Sequence, residues 1–345
     1  MSLVLLTGAS GLIGTAVAET LTRAGYKLRL LVRATSPTEH LQHLGAERVI
    51  GDVTDRAAVA AAMENVAIVV HTAGATSLRD KDADRVWHTN VEGTRTVLEA
   101  ARAAGVERAI YTSSQAAVGA APEARPLDED ADWWVPRRVP RYIRAKRRAE
   151  EVAWEIAAQG LPLVVLNPSI VLGPGDRRGS STLLVINFVK GRMIGATPGG
   201  AAYVDVRDVA AAHLAAIRQG AVGRRYLISS ENHTLFDFYS LVAGEAGLPA
   251  PKLIPELFAR AFGVINDLLI YGGLEGFPDM TSAHVAMGLC YWWANAERSR
   301  RELGIRYRPV RSSIRLTLRW AMDAGYLKPL NGKLKELLAA EATTL

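Results

Sequence analysis

Short apolar runs alternate with longer amphipathic segments through the first half of the chain. Six runs have the length and apolar content of buried strands, at 3–8, 26–32, 48–52, 66–74, 108–114 and 162–169. Segments with helical spacing of apolar residues lie between them, at 11–25, 90–105 and 142–156. Strands separated by helices form βαβ units, so the pattern predicts an α/β fold with a doubly wound parallel sheet.

The alternation weakens after residue 169. Segment 170–200 contains Gly and Pro and is irregular, whereas 201–230 predicts a strand, a helix and a strand that return to the sheet. The remainder of the chain is mostly helical. We therefore predict a first domain over 1–169 that 201–230 rejoins, and a smaller, mostly helical C-terminal substrate lobe over 170–200 and 231–345.

The composition indicates the cellular compartment in which the protein is expected. Of the 345 residues 22% are charged, the net charge is +6, and the single cysteine, Cys290, allows no disulfide within the chain, which fits a reducing cytosol. The N-terminus lacks the basic region of a signal peptide, and no run approaches the roughly 18 apolar residues of a spanning helix.

The nearest candidate for a spanning helix, 256–273, is interrupted by Arg260, Asn266 and Asp267. It predicts an amphipathic helix over a pocket, with contact at a membrane surface as the alternative, and we expect a cytoplasmic protein with no membrane span.

A glycine-rich loop joins the first predicted strand to the first helix. In LTGASGLIG, residues Gly8, Gly11 and Gly14 let the backbone approach a pyrophosphate at a helix N-terminus. This context predicts a Rossmann-type dinucleotide-binding domain. At the end of the second strand stands Arg33, with no acid nearby, so a 2′-phosphate and hence NADP is favoured, with NAD as the alternative. Asp52 is placed to accept a hydrogen bond from the adenine amino group.

The basic stretch VPRYIRAKRRAE contains a tyrosine and a lysine one helical turn apart. At 100° per residue, Tyr142 and Lys146 fall on the apolar face of the helix, whereas Arg144 falls on the opposite, solvated face. A lysine on an inward face calls for an explanation. A neighbouring ammonium lowers the pKa of a phenol and makes it usable as an acid or base.

Together, TGxxGxxG, a strand ending in YTSS, and YxxxK resemble the extended short-chain dehydrogenase/reductase (SDR) superfamily over residues 3–230. HTAG, NVEGT, LNPSIVLGPGD and VDVRDVA add to the resemblance, which is nearest to the NAD-dependent epimerase/dehydratase and dihydroflavonol-4-reductase-like branch. The resemblance implies that Tyr142 is the general acid/base, that Lys146 binds the nicotinamide ribose and tunes Tyr142, and that Ser114 orients the substrate oxygen. Ser113 is the alternative serine, and Asn90 has a supporting catalytic role.

The resemblance also implies a set of cofactor contacts. They fall at Gly8, Ser10, Gly11, Leu12, Ile13, Gly14, Arg33, Asp52, Val53, Thr72, Ala73, Gly74, Tyr142, Lys146, Asn167, Pro168, Ser169 and Ile170. No metal site is expected. A homodimer is expected through the helix that bears YxxxK and the helix before it.

These features predict an NADP-dependent oxidoreductase that transfers a hydride between nicotinamide and a carbonyl/alcohol substrate. Two alternatives stay open: a nucleotide-sugar epimerase or dehydratase that cycles a bound cofactor, and a non-catalytic NADP-binding scaffold or sensor. Arg177 and Arg178 favour an anionic substrate if they border the cleft, and are otherwise an exposed loop. The basic run 137–148 lacks interleaved aromatic residues beyond Tyr142, so we expect no nucleic-acid partner.

Overall fold

The computed structural model describes residues 2–177, 179–193, 195–278 and 280–328. Arg178 and the end of the predicted lobe, 329–345, lie outside the described residues. The strands are β1 (Leu3–Thr7), β2 (Lys27–Val32), β3 (Glu47–Ile50), β4 (Ile68–His71), β5 (Arg108–Thr112), β6 (Leu163–Pro168), β7 (Ile170–Leu172), β8 (Gly200–Asp205), β9 (Arg225–Ile228), β10 (Glu231–Thr234) and β11 (Tyr291–Trp292).

Helices connect and cover these strands. They are α1 (Leu12–Arg23), α2 (Arg56–Ala62), α3 (Ala83–Trp87), α4 (Gly93–Ala103), α5 (Arg141–Ala157), α6 (Leu183–Val189), α7 (Val206–Gln219), α8 (Leu235–Ala246), α9 (Glu256–Tyr271), α10 (Ser282–Gly288), α11 (Glu297–Leu303) and α12 (Val310–Asp323). No helix within the described ranges is long and apolar enough to cross a bilayer.

Seven strands form one parallel sheet in the order β3-β2-β1-β4-β5-β6-β9. One face is covered by α1 and α7 and the other by α2, α4 and α5, and apolar side chains of the strands fill both layers between sheet and helices. The predicted doubly wound α/β fold is confirmed. The strand order reverses between β1 and β4. Because the strands are parallel, the Gly8 loop after β1 and Ser114 after β5 lie at the same carboxyl edge of the sheet.

The segment predicted to return to the sheet does so only in part. Strand β8 is the centre of a second, smaller sheet, in which it pairs with β7, β10 and β11. The prediction that its first strand rejoins the main sheet is therefore wrong, whereas α7 and β9 do return. All six residues of β8 are buried, because the strand is paired on both sides and covered by α12.

The C-terminal part also reaches back to the first domain. Leu303 and Ile305, at the end of α11, belong to the same apolar core as β1 and α7. The predicted boundary at residue 231 therefore does not divide the hydrophobic core, because residues beyond it pack in the core of the first domain.

Candidate active site and cofactor cradle

The glycine loop brings three pieces of backbone unusually close together. Gly8 has φ +76°, and a Cβ there would lie 2.5 Å from the nitrogen of Ala73. At Gly14 a Cβ would lie 2.2 Å from the carbonyl oxygen of Gly8. Neither position has room for a side chain, because the loop lies directly on the residues that follow β4 and on the first turn of α1.

Gly11 has a different role in this loop. It is the N-cap of α1, has no side chain with which to cap the helix, and its own Cβ would meet nothing closer than the Gly8 oxygen at 3.4 Å. The first amides of α1 are therefore left to a partner from outside the helix, as an N-terminus that binds a pyrophosphate requires. Of the predicted neighbours, Ser10 and Leu12 are buried and Ile13 is partly buried.

We expect Gly14→Ala and Gly11→Ala to fail in different ways. Gly14→Ala should lower the free energy of unfolding by about 1–3 kcal/mol, because the backbone must move to admit the Cβ. Gly11→Ala should change the free energy of unfolding by no more than about 1 kcal/mol. It should weaken dinucleotide binding about ten-fold or more, because the added methyl group crowds the position of the bound anion. Urea unfolding and cofactor titration measure the two effects. Equal cofactor affinity in Gly11→Ala and wild type would contradict the cradle.

The adenosine end of the predicted site is open to solvent. Arg33 directly follows β2, is exposed, and forms no ion pair among the described residues. One oxygen of Asp52 accepts hydrogen bonds from the backbone N–H (3.0 Å) and the hydroxyl (2.8 Å) of Thr54. Val53 is buried against Gly93, so the start of α4 lies against the 52–53 turn. The guanidinium is thus available to a ligand phosphate, and the carboxylate is held in one orientation.

Asn90 supports the loop after β4 instead of capping a helix. It lies in a π-helical turn, His88–Glu92, between α3 and α4. Its Nδ2 donates to the carbonyl oxygen of Ala75 (2.9 Å), and the N–H of Ala75 donates to its Oδ1 (3.0 Å). The same amide lies close to Gly74, where a Cβ would meet Oδ1 at 2.9 Å. Asn90 therefore fixes the stretch that contains the predicted cofactor contacts Thr72, Ala73 and Gly74.

Ser114 and Tyr142 meet where β5 ends and α5 begins. Oγ of Ser114 accepts a hydrogen bond from the N–H of Ala116 (3.2 Å), so this serine caps a short turn. Its side chain also contacts Tyr142. Burial raises the pKa of Tyr142 above its ordinary value, and the hydrogen bond with Ser114 opposes that rise. Lys146 is not among these influences, so the expected lowering of the Tyr142 pKa by its charge is not found here.

Lys146 is buried behind the Ser114–Tyr142 pair. Its Nζ donates to the carbonyl oxygen of Thr112 (3.4 Å) and lies 5.7 Å from the centre of the Tyr111 ring. Burial lowers the pKa of Lys146 to about 8, against the opposing influence of the Glu150 charge. The ammonium is therefore close to its titration point near neutral pH.

His71 lies in the layer beneath Lys146. It stacks on Tyr111 at 5.5 Å between ring centres and shares hydrogen bonds with Oγ1 of Thr7 (2.7 Å) and of Thr94 (3.2 Å). Burial first, and then the charge of Lys146, lower the pKa of His71 to about 3. A neutral imidazole thus links β1, β4 and α4 below the site without adding charge.

A buried ion pair that sequence reasoning missed lies one turn further along α5. Glu150, with 3% of its side chain exposed, accepts from Nη1 of Arg225 at 3.1 Å and from Nδ2 of Asn167 at 2.5 Å. The same Nδ2 is 3.0 Å from the carbonyl oxygen of Ser114. Glu150 follows Lys146 by four residues, and this spacing was the available signal. The network joins the ends of β5, β6 and β9 to the Tyr–Lys helix.

The remaining predicted contacts lie beside this network. Asn167 is fully buried and directs its amide to Glu150, and Ser169 donates its N–H to the Ile228 carbonyl oxygen (3.1 Å). Pro168 and Ile170 follow as the chain passes from β6 to β7. Arg177 is exposed and close enough to His40 to help lower the pKa of that imidazole, an effect led by burial. It therefore lies on the α1 side of the edge.

The chain is similar in sequence and fold to known proteins. A model of the NAD dependent epimerase/dehydratase family matches residues 4–229. A putative dihydroflavonol 4-reductase of Synechocystis sp. is 32% identical over 329 residues, 94% of this chain and 95% of that protein. Sterol demethylase protein B of Methylococcus capsulatus is 32% identical over 331 residues, 94% of this chain and 99% of that relative. The crystal structure of gox2253 superposes with a TM-score of 0.85 at 33% identity, covering 95% of this chain and 100% of that one.

A parallel dinucleotide-binding sheet with a glycine cradle and a Tyr–Lys helix defines an NAD(P)-dependent enzyme. The chain belongs to the NAD-dependent epimerase/dehydratase family of the extended SDR superfamily, as its motifs predicted.

Proposed function

We propose that the protein is an NADP-preferring oxidoreductase that interconverts a carbonyl and an alcohol, with Tyr142 as general acid/base. The observation that supports this best is the contact of Ser114 with Tyr142 at the carboxyl edge of the sheet, with the Lys146 ammonium buried behind them. A reductase among the relatives supports carbonyl reduction, and the name of the family supports epimerisation or dehydration as the second candidate.

In the proposed reaction each side chain has a distinct task. The dinucleotide, when bound, supplies or accepts the hydride. The Ser114 hydroxyl holds the substrate oxygen, and Tyr142 gives its phenolic proton to that oxygen in reduction and takes it back in oxidation. Lys146, one helical turn further along α5, would stabilise the phenolate left after proton transfer once its ammonium leaves the Thr112 carbonyl oxygen.

The experiment that tests this follows NADPH consumption against a panel of ketones, aldehydes and nucleotide-sugars. Stoichiometric oxidation of NADPH with one of the carbonyl compounds supports the proposal. Conversion of a nucleotide-sugar without net change in NADPH would identify an epimerase or dehydratase instead.

We expect wild type to bind NADPH at least several-fold more tightly than NADH, because the exposed Arg33 is available to a 2′-phosphate. A charge-assisted hydrogen bond is worth roughly 1.5–3 kcal/mol, or about ten- to hundred-fold in affinity, and solvent favours the lower figure. Titration of both cofactors into wild type and Arg33→Ala measures this. Arg33→Ala should lower the affinity for NADPH more than the affinity for NADH. Equal losses would leave Arg33 as a residue that stacks on adenine.

We further propose a cytoplasmic homodimer that pairs through α4 and α5. A basic side chain at such an interface needs an acidic partner, and Arg148 has two within its own helix, Glu155 (2.7 Å) and Glu151 (3.3 Å). The proposed substrate, a nucleotide-sugar or another carbonyl compound, is a small molecule in either case.

A further inference from the structure

Helix α9 packs on the protein through a narrow strip of small and polar residues. Ala259, Gly263 and Asn266 are the buried positions of this helix. A Cβ at Gly263 would lie 3.0 Å from the Cα of Ser282 at the start of α10, and Asn266 exchanges two hydrogen bonds with the backbone of Phe277. The helix is therefore seated by its small-residue side against α10 and the 274–278 loop.

The opposite side of α9 faces solvent and is apolar. At 100° per residue one stripe of the helix carries Leu257, Phe258, Val264, Ile265, Leu268 and Tyr271. Their exposed fractions run from 50% for Val264 to 93% for Tyr271, and the stripe holds no charged residue. Leu253, Leu274 and Phe277, each more than half exposed, continue it. We call these nine residues the outer apolar surface.

This pattern is the reverse of an ordinary surface helix, in which polar residues face solvent and the apolar stripe faces the core. Single exposed apolar side chains need no explanation, but a contiguous group of this size marks an interaction site. The charges around it indicate which kind of partner it fits.

Unpaired basic side chains lie at the end of the outer apolar surface where α9 begins. Ala196 donates to the carbonyl oxygen of Lys252 (2.9 Å) and accepts from Ile254 (2.8 Å), which brings the end of α6 beside the residues preceding α9. Lys252 lies there, and Lys190 and Arg192 belong to the segment that leads to Ala196; all three are exposed and form no ion pair among the described residues.

Of the two acidic groups on α9, one is paired with a basic side chain and the other is hydrogen-bonded to neutral donors. Glu256 pairs with Arg260 at 2.8 Å, and Asp267 accepts from the N–H and hydroxyl of Ser282. Among the described residues beside the surface, Glu275 is also exposed. An apolar helix face with an excess of basic residues at its margin has the chemistry of a helix that lies in the headgroup region of an anionic membrane.

We propose that the outer apolar surface docks the protein on an anionic lipid bilayer, with α9 parallel to the membrane plane. A second copy of the chain is the other occupant that such a face could take, but the exposed basic residues near the start of α9 favour an anionic partner. The position is also suited to a lipid-dissolved substrate. Met287 of α10 packs with Val139 and Ile143 beside Tyr142, so the α9–α10 pair borders the candidate site.

The test measures binding of the full chain to vesicles of phosphatidylcholine, with and without phosphatidylglycerol. We expect co-sedimentation with the anionic vesicles, weakened by salt. Leu257→Gln with Leu268→Gln should weaken it about a hundred-fold, because burial of each leucine side chain is worth about one decade in affinity. Arg192→Gln with Lys252→Gln should weaken binding to anionic vesicles more than binding to neutral ones.

Matched control variants distinguish binding through this surface from non-specific adsorption to vesicles. Val222→Gln removes an apolar side chain that is 52% exposed on the turn before β9, and Lys27→Gln removes an exposed charge at the opposite end of the sheet; both should bind as wild type does. Circular dichroism and activity on a water-soluble substrate should be unchanged in every variant. Absence of vesicle binding by wild type overturns the proposal. So does a dimer in light scattering that Leu257→Gln with Leu268→Gln converts to monomer, since the occupant is then a second copy.

Discussion

Tyr142→Phe should lower kcat by about 10²–10⁴-fold while cofactor affinity stays nearly unchanged. The ring packs beside Ile143 and on the apolar layer beneath α5, so phenylalanine retains the packing and loses the proton donor. The measurement is steady-state turnover on the substrate found in the panel, together with cofactor titration. Lys146→Ala should instead lower both cofactor affinity and turnover.

Two further variants isolate the hydroxyl group as the cause. Tyr26→Phe makes the same change in a partly buried tyrosine that packs on the other face of the sheet, and it should keep full activity. Ser114→Ala should lower turnover more than Ser113→Ala, because Ser114 is the serine that contacts Tyr142. Retention of most of the activity by Tyr142→Phe would remove the acid/base assignment.

Glu150→Gln should destabilise the protein and shift its pH profile. The change leaves Arg225, with 18% of its side chain exposed, without its anionic partner, and breaking a buried pair costs about 3–5 kcal/mol. It also removes the charge that holds up the pKa of Lys146, which burial already lowers to about 8. Since the ammonium is lost as pH rises through that pKa, the alkaline fall of kcat/KM should move to lower pH. Urea unfolding and the pH profile of kcat/KM for the cofactor, which reports the free enzyme, measure the two effects.

The neighbouring residue offers the control. Glu151→Gln removes the same charge from the same helix, but Glu151 is 42% exposed and pairs with Arg147 and Arg148 at the surface. Surface pairs are worth about 0–1 kcal/mol, so its stability and pH profile should stay close to those of wild type. An unshifted alkaline limb in Glu150→Gln, with the protein folded, would show that Glu150 does not act on Lys146.

Local sequence patterns determine much of this protein's secondary structure. Strands and helices of the first domain follow from apolar runs and helical spacing, because each depends on residues within a few positions of one another. The same holds for the glycine loop and for Tyr142 and Lys146, whose shared face is set by a spacing of four. Family resemblance supplied roles for these residues that spacing alone left open.

Contacts between distant parts of the chain were decided by the tertiary structure. Strand β8 has the apolar run of a main-sheet strand, yet it pairs with β7, β10 and β11, because pairing depends on which edges are free after the domain folds. Glu150 meets Arg225 across 75 positions, and Asn90 holds Ala75 across 15. The sequence shows that α9 has an apolar stripe, but only the tertiary structure shows that this stripe faces solvent and that the side with Ala259, Gly263 and Asn266 is buried. Sequence patterns thus determined the elements and the reactive pair, whereas long-range packing determined their electrostatic setting and the exposed surface beside them.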